Sequence, residues 1–181
     1  MSTSGLVATY PSNRSVTTDA VKHSDLTVAT LFDLHANGLY RLALAMLHQA
    51  DAAQDVVQDT FLRLIAHLDG GGTLTNPRGW LYTVAAHACR DRQRRLGRWL
   101  PWIAERDTRQ APESPDLRDG TRATLDAIRA LPPRDRLLIA LRAQGLSYQE
   151  IGDAAGIRAT SVGRLLARAL DRLHTKLGEA R

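Results

Sequence analysis

Apolar residues return along this chain at steps that suit one face of a helix, and nowhere with the alternation of a useful strand. From about Asp25 the run Leu31, Leu34, Leu39, Leu42 and Met46 recurs every three to five residues and leaves charges on the other side. Asp51 then reads as the N-cap of a second helix carrying Val57, Phe61, Leu64 and Leu68. Gly70, Gly71 and Gly72 end it, and a loop runs to Asn76. Pro77 suits the first turn of a third helix, where its missing N–H costs nothing. That helix presents Trp80, Leu81, Val84, Ala85 and Ala88, then runs into Arg90, Arg92, Arg94 and Arg95.

Two stretches break the pattern. Residues 1–24 are rich in Ser and Thr without a helical apolar period, and read as a flexible tail. Residues 98–120 hold Pro101, Pro112 and Pro115 among mixed charges, and read as a linker. Trp99 and Trp102 are odd in a solvated tether; they suit packing on a neighbouring domain or a functional contact. Helical period returns with Leu125, Ile128 and Leu131, breaks at Pro132 and Pro133, and resumes with Leu137, Leu138 and Leu141. The expected fold is all-α: one helical module over 25–97 and a second over 121–181, joined by the linker.

The second module carries a local signature. Ser147-Tyr148-Gln149-Glu150 has the form of a capping box, in which Ser147 accepts from the N3 backbone and Glu150 reaches back to the cap N–H. A short helix with Ile151, Ala154 and Ala155 inside follows, Gly156 supplies a tight turn, and Ile157 plugs the gap. The next helix starts near Thr160 and buries Val162, Leu166, Leu170 or Ala169, Leu173 and Leu177. Arg164, Arg168 and Arg172 lie on its outer face, with Arg158, Thr160 and Ser161 at its start. That is the form of a DNA-reading helix-turn-helix, whose second helix sets its first residues against base edges in the major groove. A basic face alone would equally suit an ordinary solvated hairpin.

Charge changes the picture more than composition does. The 181 residues have ordinary globular apolar and charged fractions, 44% and 24%, but a net charge of +5, and only Lys22 and Lys176 are lysines. A GC-rich genome accounts for arginine usage as well as phosphate binding does. Distribution says more. From Asp51 to Asp69 there are four acids and one base, whereas Arg78 to Arg109 holds eight arginines and three acids. From Arg122 to Arg181 there are eleven bases and six acids. An acidic helix beside a basic one, with a second basic module downstream, implies two partners of opposite sign.

Two segments match one family. Asp55-Val56-Val57-Gln58-Asp59-Thr60-Phe61, followed by Trp80-Leu81-Tyr82-Thr83-Val84-Ala85, resembles region 2 of bacterial sigma factors. Leu131-Pro132-Pro133-Arg134, Gly145 to Ile151 and the helix after Gly156 resemble region 4. No third region lies between them, the pattern of the extracytoplasmic function (ECF) group of the sigma-70 family. The resemblance implies a subunit that binds core RNA polymerase and directs it to −10 and −35 promoter elements. It places Asp55, Gln58 and Asp59 on the polymerase, and Trp80, Tyr82, His87, Arg90 and Arg94 at the −10 element. It places Arg158, Thr160, Ser161, Arg164, Arg168 and Arg172 at the −35 element. The loop 69–76 matches one that holds a flipped base in the family. His87 stands where the family usually has asparagine, and the triple glycine makes the loop more pliant than a preformed pocket, so base preference does not carry over. An anti-sigma factor is a further implied partner.

Other classes fit less of the chain. A helix-turn-helix regulator that never binds polymerase shares the second module but leaves the acidic helix unexplained. A helical enzyme could use His48, Asp51 and Asp55 as metal ligands, yet no second ligand cluster faces them. No catalytic residue, cofactor or metal is expected. The single cysteine, Cys89, excludes an internal disulfide and suits a buried position. With neither a membrane-length apolar run nor a secretory signal pattern, the expected location is cytoplasmic.

Overall fold

The computed structural model describes residues 28–103 and 119–179, with side chains over 28–95 and 124–179. The expected tail, most of the expected linker, and the side chains of Trp99 and Trp102 lie outside the described residues. The described elements are seven helices: α1 (Val28–Leu47), α2 (Ala50–Asp69), α3 (Pro77–Ile103), α4 (Asp119–Arg129), α5 (Pro133–Ala143), α6 (Tyr148–Ala155) and α7 (Ala159–Glu179).

Local chemistry sets the helix ends. Only His48 and Gln49 separate α1 from α2, and His48 takes the left-handed conformation, φ 60°, that a reversal this short needs. Gln49 is the extended N-cap of α2 and makes no side-chain cap. Asp51 therefore sits in the first turn rather than at the cap, where its carboxylate still faces the positive end of the helix. Asn76 caps α3 by accepting from the Gly79 N–H at 2.9 Å, with Pro77 beside it. The α3 backbone stays helical to Ile103, into the first residues of the expected linker. Pro133 opens α5 at a position that needs no N–H. Gly156 closes α6 at φ 70°, a conformation that strains any residue with a Cβ.

The first three helices pack on one another through Leu39, Leu42, Met46, Val56, Leu64 and Leu81, each at most 2% exposed. Gly38 lets α3 come close: a Cβ there would collide with the Tyr82 hydroxyl. Cys89 is fully buried on α3, and loss of solvent pushes its thiol up to about 12. In the second module Leu138, Leu141, Leu146, Ile151 and Val162 fill the space between α5, α6 and α7. Ala169 is buried, and Leu170 beside it is exposed. Leu34, at the edge of the α1 stripe, is also exposed.

The two cores join. α5 packs on α1 and α6 packs on α3, so the buried apolar set runs from one module into the other. Four polar clasps line the seam. Arg78 donates to the Gln144 carbonyl at 2.5 Å, Asn76 Nδ2 to Glu150 Oε1 at 3.1 Å, and Arg90 to the Ala154 carbonyl at 2.9 Å. The fourth pairs the Arg136 guanidinium with His48 Nε2.

Candidate nucleic-acid interface

The outer face of α7 is built by subtraction. Val162, Leu166 and Ala169 turn inward, which leaves Arg164, Arg168 and Arg172 exposed one helical turn apart. Arg158 and Thr160 are exposed at the start of the helix, and Ser161 is half-buried. The turn that presents them is held firmly. Ser147 accepts from the Glu150 N–H at 3.3 Å, while the Ser147 N–H donates to Glu150 Oε2 at 2.8 Å, completing the expected box. Burial pushes the Glu150 carboxyl up, but the bonds from Ser147 and Asn76 outweigh it and hold the group below its ordinary value. Arg172 differs from its neighbours: it forms an ion pair with Asp135 of α5, whose side chain is only 10% exposed.

α3 is placed differently. Tyr82, expected at the surface, is 3% exposed: its ring faces His35 edge-on and its hydroxyl lies against Gly38. That is a correction, and its cause is α1 packing over this side of α3. Burial raises the phenol pKa accordingly. Trp80 is half-buried, its ring against that of His67 with centroids 5.4 Å apart. His87 is half-buried, and desolvation, with Arg90 beside it, lowers its pKa and keeps the ring neutral. Arg90 spends its guanidinium on the Ala154 and Ala155 carbonyls at the C-terminal end of α6, where a cation is favoured. Arg94 remains largely exposed, 3.8 Å from Asp91.

On α2, Asp55 and Gln58 are exposed and Asp59 is partly so, all on one side of the helix. Arg92 of α3 reaches across to them, 3.1 Å from Asp59 and 3.7 Å from Asp55. The sequence placed Arg92 in a basic run and gave no sign of this partner. Asn76, Arg78 and Arg136 were likewise not singled out, because each acts across the seam. His48, weighed above as a metal ligand, has its Nε2 against Arg136.

Two family models match the chain: Sigma-70 region 2 over residues 31–99 and Sigma-70 region 4 over residues 121–173. The RNA polymerase sigma factor CarQ of Myxococcus xanthus is 32% identical over 154 residues, covering 82% of this chain and 88% of that protein. The chain belongs to the sigma-70 family. The ECF RNA polymerase sigma factor SigE of Mycolicibacterium smegmatis is 30% identical over 155 residues, which supports the ECF group. That match covers 80% of this chain but only 59% of SigE. In fold, this sigma-70 chain resembles the sigma factor RpoE of Bartonella quintana, solved with the anti-sigma factor NepR. The TM-score is 0.69 at 24% identity, over 84% of this chain and 98% of that one. The region 2 match spans α1 to α3 and the region 4 match spans α4 to α7, up to residue 173. No helix among the described residues is long and apolar enough to cross a membrane.

Proposed function

We propose that this chain binds core RNA polymerase and directs promoter-specific initiation by recognising −10 and −35 elements. The observation that carries the reading is the pairing, in one chain, of an acidic α2 face with a free arginine face on α7, each inside the matching sigma-70 region. Asp55, Gln58 and Asp59 offer the polymerase a negative surface. Arg158, Thr160, Ser161 and Arg164 meet the base edges of the −35 element, and Arg168 and Arg172 meet its phosphates. Trp80, His87, Arg90 and Arg94 serve the −10 element, Tyr82 holding α3 in place from within. An anti-sigma factor is the third partner class in this reading, in line with the partner that the Bartonella quintana relative carries.

Size adds a condition. Elements about 25 base pairs apart are separated by roughly 85 Å of duplex. A compact chain of this length has a radius of gyration of about 16 Å and spans only ~40 Å. The two modules must therefore part at the seam to reach both elements, which frees Arg90 from α6 and Asn76 from Glu150.

Titration of labelled core polymerase with the chain, followed by run-off transcription on promoter fragments, tests the proposal. The triple variant Asp55→Ala, Gln58→Ala, Asp59→Ala should bind core at least about tenfold more weakly while keeping its helical circular dichroism, because exposed positions hold little of the core's stability. Unaltered core affinity in the triple variant would overturn the polymerase assignment.

A further inference from the structure

His67 lies in the last turn of α2, immediately before the loop that leads to α3. Its Nε2 is buried and has no hydrogen-bond partner. Among the described residues the other such atom is Arg136 Nε, whose guanidinium is otherwise engaged by His48 and by the Leu131 carbonyl. An unmet buried polar group costs about 1–3 kcal/mol, and folded chains keep few of them without a reason.

The surroundings of the ring supply the reason. One face of the imidazole meets the Trp80 indole, the planes tilted by 32°. The main chain of Gly72 crosses the ring edge so closely that a Cβ there would overlap Cε1 and Nε2. Gly72 is drawn over the ring by its own N–H, which donates to the His67 carbonyl at 2.9 Å. Gly71 before it stands at φ 78° with open space on its Cβ side. The far end of the loop is tied to the other module through Asn76 and Glu150. Parting of the modules removes that tie and leaves three consecutive glycines free to lift from the ring. What they uncover is a flat aromatic surface with an unused hydrogen-bonding nitrogen at its rim. A nucleobase has the matching form, a planar face with polar edge groups.

We propose that His67 is a specificity-determining residue of the −10 contact: it hydrogen-bonds through Nε2 to the edge of an unstacked promoter base that enters under the Gly70–Gly72 loop. The proposal rests on the sigma-factor reading above. In the packed form Gly72 covers the nitrogen, so the base competes with the loop for one place.

The test uses holoenzyme assembled from core polymerase and the full chain, on promoter fragments carrying each of the four bases at each −10 position. Open complexes are read by permanganate reactivity and initiation by run-off transcript. His67→Phe keeps a ring against Trp80 but removes the nitrogen; His67→Gln keeps hydrogen-bonding atoms but removes the ring. The wild-type preference at one −10 position should fall about tenfold in His67→Phe and return in part in His67→Gln, with −35 discrimination and core affinity unchanged in both. Gly72→Ala, which wedges the loop away from the ring, should retain the preference. An intact preference in His67→Phe would overturn the proposal, as would an even loss across every −10 sequence, which would make His67 a packing residue. Should His67→Phe melt early, loss of the preference in Gly72→Ala at unchanged −35 discrimination would overturn it as well. Absence of promoter-dependent transcription by the wild-type holoenzyme would instead sink the sigma-factor reading itself.

Discussion

α3 and α7 are the two helices assigned to DNA, and they divide labour in opposite ways. α7 keeps its structural residues on one stripe, Val162, Leu166 and Ala169, and its arginines on another. α3 is enclosed, with α1 and α2 on one side and α6 on the other, so Leu81, Tyr82, Val84 and Ala85 all sit in the core. Its remaining polar residues are spent on neighbours: Arg90 on α6 and Arg92 on Asp59. A substitution on α7 therefore separates binding from stability, whereas one on α3 mixes them.

The largest expected effect tests the enclosed helix. Leu81→Ala empties a site that is fully buried and should cost about 2–5 kcal/mol in urea unfolding. A loss below about 0.5 kcal/mol would show that α3 is not the centre of its module. Arg164→Ala should instead leave the unfolding midpoint unchanged within about 0.5 kcal/mol. It should weaken holoenzyme binding to the preferred −35 sequence by about 1–3 kcal/mol and relax discrimination at one base pair. Even weakening across a −35 substitution panel would move base reading to Arg158, Thr160 or Ser161.

Arg168 and Arg172 sharpen the comparison within α7. Alanine at either should lower the slope of log affinity against log salt by about one, uniformly across sequences. Only Arg172→Ala should also lower stability, by about 1 kcal/mol, because it strands the Asp135 carboxylate. Equal melting of the two variants would mean that the pair with Asp135 is not held in solution.

The smallest effect concerns the seam. Burial first, then Arg136 and Arg129, lower His48 from 6.5 to about 4. The unfolded chain thus takes up a proton that the folded chain resists. Stability from this group is complete above pH 6.5 and is lost as pH falls from there toward 4. Urea midpoints measured across that window should fall more steeply for the wild type than for His48→Gln. Parallel slopes would remove His48 from the clasp.

Local features were legible in the sequence, and long-range ones were not. The capping box at Ser147 and Glu150, the turn at Gly156 and the helix start at Pro77 depend on neighbours within a few residues, and each is formed. Asp51 was misplaced because Gln49, a residue without cap chemistry, ends the reversal after His48. Tyr82 was misplaced because periodicity shows that a face is apolar but not that α1 closes over its flank. The −35 face was readable because α7 carries its charges on one stripe of one helix. The partners of Arg90, Arg92 and Arg136 were invisible, since Ala154, Asp59 and His48 come from helices whose packing no local pattern encodes. His67 gave no signal at all: a single histidine near a helix end becomes notable only once its nitrogen is seen without a partner.

Cys89 turns the enclosure of α3 into a clock. It is the only thiol in the chain, fully buried, and held almost wholly protonated at neutral pH by its raised pKa. A thiol in that state reacts only during the moments when the helices around it open. The rate at which a disulfide reagent modifies the intact chain thus counts openings of the first module, with no engineered label. Comparing that rate in the free chain and in the holoenzyme would separate a parting of the modules at their seam, which leaves Cys89 covered by α1 and α2, from a loosening of the module itself.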